Sequence, residues 1–181
     1  MQQEQVARKT SGKRIMQTRE MVLGAILMSL SLVIPLAFGG VLTVTIPPFT
    51  ATLAAHVPVM LAMLVSPLTA VMVGIGSMLG FLIRLGMPVV AARALMHSLF
   101  GGVGAVLIRR GMPFWAALLA VLPVHALSEA LIVIPFGFSL YQVGVVVAVG
   151  TALHHLVDAG ISLTIAPLIR RAGYFGGPGE R

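Results

Sequence analysis

The 181-residue chain contains no cysteine and few charged side chains. Without cysteine it has no disulfide, no thiolate metal site and no iron–sulfur cluster. Charged residues make up 9% of the chain and hydrophobic residues 58%, whereas soluble globular proteins are about 25% charged. This composition excludes an ordinary soluble domain and indicates a protein of the lipid bilayer.

Lysine is nearly absent as well. The two lysines, Lys9 and Lys13, precede the first apolar run, so no G-x-x-x-x-G-K-[ST] phosphate-binding loop can be written. ATP hydrolysis by that route is therefore excluded. The net charge of +7 does not indicate nucleic acid as a partner, because the cations lie in small groups beside apolar runs, as membrane-orientation signals do.

The apolar runs between prolines, glycines and charges predict six transmembrane helices. A spanning helix needs about 20 apolar residues, so six spans leave no room for a separate soluble domain. The predicted helices lie near Met21–Gly39, Ala51–Val65, Leu68–Leu85, Val89–Ile108, Phe114–Ile134 and Val143–Ile169. We expect an all-α integral membrane protein, with a single compact six-helix bundle at residues 20–171 and polar tails at residues 1–19 and 172–181.

Arginine and lysine predict the orientation, because cytoplasmic loops of membrane proteins carry an excess of both. These residues precede the first helix, join the fourth to the fifth and follow the sixth: Arg8, Lys9, Lys13, Arg14, Arg19, Arg109, Arg110, Arg170 and Arg171. Six crossings place all three groups on one side of the membrane. We therefore expect a multi-pass protein of the cell (plasma) membrane with both tails in the cytoplasm.

The connection between the first two predicted helices, residues 40–50, alternates apolar residues with threonine. Such a pattern is typical of an extended or hairpin-like segment. Irregular backbone at membrane depth is tolerated only where it is buried in protein or lines a cavity. The segment is either a plain extracellular loop or a gate over a ligand pocket, with Thr43, Thr45, Pro47 and Phe49 as its gating residues.

Ionisable side chains inside the predicted spans define the candidate binding site, because such groups are costly in a membrane and normally face the bundle interior. Three pairs lie four residues apart on one helix face: Arg93 and His97, His125 and Glu129, His154 and Asp158. The predicted substrate-binding residues are His56, Arg93, His97, His125, Glu129, His154 and Asp158. The sequence leaves open whether His154 or His155 faces the pocket.

Some of these groups have a purely structural alternative. His125 and Glu129 can satisfy each other across one helix turn, as can His154 and Asp158. Arg93 has no carboxylate in its own helix, so it needs Glu129, Asp158 or a ligand anion as its partner. The spacing disfavours a metal site, since neither H-x-x-x-H nor H-E-x-x-H occurs and Arg93 would repel a cation. The sequence therefore assigns no metal ligand, no cofactor and no catalytic residue.

Ala25 and Ser29 form a small-residue pair in the first helix, which can pack within the bundle or against another protein. Three classes of function remain: a transport subunit driven by a partner, a self-sufficient carrier or channel, and an intramembrane enzyme. The enzyme is disfavoured because no nucleophile–base constellation is visible. A self-sufficient carrier would require a homodimer, since the chain shows no internal repeat.

Residues 52–67 and 74–81 resemble the second and third helices of the substrate-binding (S) components of energy-coupling factor (ECF) vitamin transporters. Within that group, the A-H-V-P run at residues 55–58 and the run Arg93–His97 are most similar to the niacin-specific components. The resemblance covers all six spans in layout, and its sharp motifs lie in helices two to four. Of the three classes of function, the resemblance favours a transport subunit that is driven by a partner.

This resemblance implies a high-affinity binding subunit for a small water-soluble vitamin, without an ATPase site of its own. Such subunits close the loop after helix one over the ligand and associate with a transmembrane coupling protein and two cytoplasmic ATPases. The family's helix-one contact motif, A-x-x-x-A, occurs here only as Ala25-x-x-x-Ser29. Niacin is the expected substrate; biotin, pantothenate or a divalent metal are alternatives, as is a self-sufficient homodimeric carrier. The cobalt and nickel relatives begin with Met-His, whereas this chain begins Met1-Gln2-Gln3, which disfavours the metal.

Overall fold

The computed structural model describes residues 18–173, so nearly all of both predicted tails lies outside the described residues. Within that range six α-helices and one β-hairpin follow each other along the chain. They are α1 (Thr18–Phe38), β1 (Thr43–Ile46), β2 (Phe49–Thr52), α2 (Val57–Ala62), α3 (Pro67–Leu85), α4 (Pro88–Arg109), α5 (Phe114–Ile132) and α6 (Gly150–Arg171). A 3₁₀ turn at Ile134–Phe136 and a π-helical segment at Gln142–Val149 connect α5 to α6. Five helical stretches within residues 18–173 are long and apolar enough to cross a membrane.

Prolines, a serine cap and a glycine set the boundaries of α3 and α4. Pro67 and Pro88 begin these helices, where the missing N–H has no intrahelical partner to lose. The Ser66 hydroxyl caps α3 by accepting the Thr69 N–H at 3.1 Å. Gly86 ends α3 with a φ of 62°, a conformation that glycine adopts at little cost. The short turn makes α3 and α4 antiparallel neighbours.

The second predicted span is not a long helix. The sequence predicts a helix over Ala51–Val65, but residues 49–52 form strand β2 and helix α2 has only six residues. Six residues rise about 9 Å, too little to span a bilayer. Pro58 in the first turn of α2 favours a helix start at this point, whereas the threonines before it favour the strand. All six residues of α2 are buried.

The chain between α1 and α3 nevertheless returns across the bundle, because these two helices run parallel. Gly24 near the start of α1 lies beside Thr69 near the start of α3. Gly39, just after α1, lies beside Arg84 near the end of α3. The hairpin and α2 together therefore make the return path. We call residues 39–66 the composite crossing, since a hairpin and a short helix replace one continuous span.

Glycines of α3 allow close contact with both neighbouring helices. A β-carbon added to Gly74 would lie 2.4 Å from the backbone nitrogen of Ser98 in α4. One added to Gly80 would lie 2.7 Å from the carbonyl oxygen of Leu32 in α1. Only residues without a side chain permit such close backbone approach in a membrane bundle. The three helices thus form a tightly packed frame beside the composite crossing.

The basic residues of the described chain gather at one end of the bundle. Helices α3 to α6 alternate in direction, as shown by the pairing of Arg93 with Glu129 and of His125 with His155. The start of α1, the α4–α5 turn and the end of α6 therefore lie together, and this arginine-rich end carries Arg19, Arg109, Arg110, Arg170 and Arg171. The hairpin, the turn at Gly86 and Arg84 lie at the opposite, hairpin end.

Candidate binding site

The ionisable residues of the predicted spans meet in one cluster between α2, α4, α5 and α6. Seven of these residues are buried and His154 is partly exposed. The cluster, which we call the polar cluster, consists of His56, Arg93, His97, His125, Glu129, His154, His155 and Asp158. The structure thus brings together all seven residues predicted for the site and adds His155 to them.

Glu129 lies at the centre of the polar cluster. Its Oε2 accepts hydrogen bonds from Arg93 Nε at 3.0 Å and Nη2 at 2.6 Å, and from the Thr151 hydroxyl at 2.7 Å. Its Oε1 lies 3.1 Å from His125 Nε2 and 3.3 Å from His97 Nε2. The two carboxylate oxygens therefore face different groups: Oε2 faces the guanidinium, and Oε1 faces two imidazoles.

Asp158 holds the turn that leads from the hairpin into α2. Its Oδ1 accepts the Ala54 N–H at 2.9 Å and its Oδ2 accepts the His56 N–H at 3.0 Å. Ala54 has a φ of 65°, which is uncommon for a residue with a side chain. His154 Nε2 lies 3.3 Å from Asp158 Oδ2 and 3.0 Å from the Thr52 carbonyl oxygen. Asp158 thereby joins α6 to the composite crossing.

The hairpin covers the cluster through its second strand. Strand β1 pairs antiparallel with β2, with Thr43 opposite Thr52 and Ile46 opposite Phe49. The Pro48 carbonyl accepts a hydrogen bond from Arg93 Nη1 at 3.1 Å. The Phe49 ring centroid lies 5.0 Å from the guanidinium carbon of Arg93, within the range of a cation–π contact. Arg93 thus joins the hairpin to Glu129.

The four predicted gating residues occupy different positions in this hairpin. Phe49 is buried and packs against Gly150 at the start of α6. The Thr43 hydroxyl lies 2.9 Å from that of Thr52, across the ladder. Thr45 and Pro47 are exposed. Only Phe49 of the four therefore contacts the polar cluster directly.

A cavity of about 20 Å³ lies beneath the hairpin. It is lined by Thr50, Ala55, His56, Phe81, Val90, Arg93, Ala94, His97, Glu129 and His154. A space of this size holds about one water-sized particle. His125, His155 and Asp158 lie behind the lining. The space between the hairpin and the polar cluster is therefore small in the described conformation.

Sequence reasoning missed two polar partners of the cluster, Thr151 and Ser77, and left the role of a third, His155, open. Thr151 bonds to Glu129, Ser77 Oγ lies 2.9 Å from His97 Nδ1, and His155 Nδ1 lies 3.0 Å from His125 Nδ1. The helical spacing of Thr151 and His155, seven and three residues before Asp158, places them on its face of α6 and was a usable signal. Ser77 gave none. Both adjacent histidines point inward: His154 lines the cavity, and His155 lies deeper.

A curated relative is similar to most of this chain. It is the niacin transporter NiaX of Lactococcus lactis subsp. cremoris (strain MG1363), 31% identical over 174 residues, which cover 86% of this chain and 77% of the relative. This chain belongs to the family of niacin-type ECF S components. No family model and no solved structure matches it. The S component is a multi-pass membrane protein, and the family predicted from helices two to four is confirmed.

Proposed function

We propose that this S component binds niacin, as nicotinate, with high affinity in the polar cluster, and that partner ATPases drive its uptake. The observation that carries the proposal is Arg93, the one buried arginine or lysine of residues 18–173. Its guanidinium lies between the hairpin and Glu129. The similarity to a protein described as a niacin transporter supports the same substrate.

The chemistry of nicotinate fits this arrangement. Its carboxylate requires a cation, and a guanidinium can donate two parallel hydrogen bonds to it. The imidazoles of His56 and His97 line the cavity next to Arg93 and can donate to, or stack on, the pyridine ring. When the hairpin opens, Arg93 loses its bond to the Pro48 carbonyl, and that donor becomes available to the substrate.

Calorimetric titration of the purified, metal-free chain tests the substrate assignment. We expect one nicotinate per chain and much weaker binding of nicotinamide, which lacks the charge. Tight binding of biotin or pantothenate, with no binding of nicotinate, would identify that vitamin as the substrate instead. Binding of none of these compounds would contradict a vitamin-binding role and favour the self-sufficient carrier.

The hairpin serves as the gate in this proposal. Phe49→Ala removes the buried ring that anchors β2 to Arg93 and to α6, so nicotinate should dissociate about tenfold faster, equivalent to about 1.4 kcal/mol. Stopped-flow release of labelled nicotinate measures this rate. Val44→Ala is the matched control, because Val44 lies in the same hairpin but is exposed. Equal rates for both variants would contradict a gating role for Phe49.

The outer face of α1 is the proposed docking surface for the coupling protein. Ala25 and Ser29 are exposed, and the Ser29 hydroxyl is satisfied by the Ala25 carbonyl at 2.8 Å. Beside them, an apolar groove of about 430 Å³ separates α1 from α6. Its lining includes Ile26, Leu30 and Ile165. A small-residue surface next to such a groove suits close contact with another transmembrane helix.

The double variant Ala25→Leu/Ser29→Leu should abolish co-purification with the coupling protein and ATPases, and thereby uptake, because two leucines prevent close helix approach. Nicotinate binding by the isolated chain should be unchanged. Ala120→Leu, at an exposed position of α5, is the control and should retain the complex. If the double variant still assembles and transports, the docking surface lies elsewhere.

The arginine-rich end is proposed to face the cytoplasm, following the excess of cations there. The hairpin end would then face outward, where an imported vitamin arrives. The chain contains no cysteine, so the variant Thr45→Cys carries a single thiol, at the exposed hairpin. Labelling of this thiol by a membrane-impermeant maleimide in intact cells would support the proposed orientation. Labelling only after cell lysis would place the hairpin end in the cytoplasm and contradict it.

A further inference from the structure

We propose that the closed polar cluster is also a binding site for one divalent first-row transition-metal ion, held by His56, His97, His125 and Glu129. The proposal concerns the cluster itself and does not depend on which vitamin the protein transports. Ligand atoms of these four residues all lie within 4.8 Å of one another, and all four residues are buried.

The three imidazoles already lie near the positions that a metal ion requires. The ring centroid of His56 lies 4.6 Å from that of His97 and 4.6 Å from that of His125, while the other two centroids are 5.3 Å apart. The rings are nearly perpendicular, at 83° to 85°. Imidazoles bound tetrahedrally at 2.0–2.1 Å have centroids about 5 Å apart.

Glu129 Oε1 provides the fourth ligand. It lies 3.1 Å from His125 Nε2 and 3.3 Å from His97 Nε2. Ligand atoms of a tetrahedral site with bonds of 2.0–2.1 Å are separated by about 3.3 Å. Two edges of the coordination polyhedron are therefore already at this length, and rotation of the His56 ring completes it. Imidazole and carboxylate are ligands that suit zinc, nickel and cobalt.

The hydrogen bonds behind the cluster leave one ring nitrogen with a lone pair. His155 Nε2 donates to the Leu118 carbonyl at 3.0 Å, so the Nδ1 of a neutral His155 is an acceptor. His125 Nδ1 therefore donates to it, at 3.0 Å, and the Nε2 of a neutral His125 carries no proton. This Nε2 faces the Glu129 carboxylate at 3.1 Å. Two acceptors at this distance require a proton or a metal ion between them.

Three further observations favour the metal ion. The Ser77 hydroxyl bonds to His97 Nδ1, the outer contact that orients a metal-binding histidine. His56 Nδ1 lies 3.0 Å from Asp158 and is a buried ring nitrogen without a hydrogen-bond partner among the described residues. His56, His97 and Glu129 line the cavity of about 20 Å³ and His125 contacts Glu129 behind this lining, so an ion between the four ligands needs no movement of the hairpin.

The charges of the cluster accept a divalent cation despite Arg93. Its guanidinium is directed at Glu129 Oε2, leaving Oε1 to the imidazoles. With neutral histidines, the cluster has a formal charge of −1, from the carboxylates of Glu129 and Asp158 and the guanidinium of Arg93. Arg93 therefore binds the carboxylate oxygen that the metal ion does not use, and the negative formal charge of the cluster offsets its repulsion.

Cobalt(II) absorption of the metal-free full chain tests the proposal. We expect one Co²⁺ per chain with the visible bands of a four-coordinate site, and displacement by Zn²⁺. All five histidines of the chain lie in the polar cluster and there is no cysteine. A purification tag without histidine therefore leaves no imidazole or thiolate outside the polar cluster to compete for the ion.

Two variants identify the ligand set. His97→Asn should weaken Co²⁺ binding by at least about tenfold, whereas His154→Asn should retain it. His154 belongs to a different group, with His56 and Asp158. Thermal unfolding of each variant shows that it is folded. Absence of a Co²⁺ spectrum in the wild type, or its loss in His154→Asn alone, would overturn the proposal. Nicotinate titration of the same metal-free preparation tests the vitamin function separately.

Discussion

Replacing Arg93 by alanine should lower nicotinate affinity roughly 30- to 5,000-fold, since truncating one partner of a buried charge pair costs about 2–5 kcal/mol. The carboxylate would enter a buried pocket that no longer contains a cation. Nicotinamide has no charge to balance, so its weaker affinity should change little. Calorimetry with both compounds measures the two values, and their ratio reports whether Arg93 recognises the carboxylate.

Two companion variants separate recognition from folding. Arg93→Ala leaves the Glu129 carboxylate buried without its guanidinium, which by itself destabilises a protein by about 3–5 kcal/mol. Arg93→Met combined with Glu129→Gln removes both charges and should fold while still losing the preference for nicotinate. Arg93→Lys keeps the charge but not the fork, and an intermediate affinity is expected. A double variant that prefers nicotinate as the wild type does would exclude Arg93 as the carboxylate-binding residue.

Replacing Asp158 by alanine should lower the free energy of unfolding by roughly 3–6 kcal/mol, because two backbone hydrogen bonds to a charged acceptor are lost at about 1.5–3 kcal/mol each. These bonds come from Ala54 and His56 at the turn before α2. Thermal unfolding in detergent measures the loss. Asp158→Asn should have a smaller effect, since its amide still offers one acceptor.

His154→Asn is the control for Asp158, because it removes an imidazole partner of the carboxylate without touching the two backbone bonds. The sequence predicts Asp158 as a substrate contact, whereas the structure places it behind the cavity lining. An Asp158→Ala variant with unchanged stability and no nicotinate binding would support the substrate contact. A destabilised variant that still binds nicotinate at low temperature would support the positioning role.

Much of the site could be predicted because membrane burial of an ionisable side chain is costly enough to need a purpose. Arg93, Glu129 and Asp158 stand out in an apolar sequence for this reason alone. Helical spacing then paired neighbours within one helix, such as His125 with Glu129, and the structure shows that contact. Contacts between helices could not be decided from spacing, so the sequence analysis left Glu129, Asp158 and a ligand anion as alternative partners of Arg93.

The second crossing could not be predicted from hydropathy. A hairpin and a short helix buried in a membrane bundle are as apolar as one continuous helix, because both must avoid exposing polar groups to lipid. The threonines of β2 and Pro58 were the only local signs of the change. The metal proposal was hidden for a related reason, since its four ligands come from three separate elements and no local spacing reveals them.

The composite crossing has a mechanical consequence. A transmembrane helix cannot bend out of its bundle without breaking hydrogen bonds that lipid will not replace. The hairpin carries its own backbone ladder, so in the proposed gating it would keep that ladder and break only side-chain contacts, chiefly those of Arg93 with Pro48 and Phe49 and of His154 with Thr52. In the proposed gating, the hairpin at residues 43–52 is therefore the moving part, while the buried helix α2 and the five long helices stay in place.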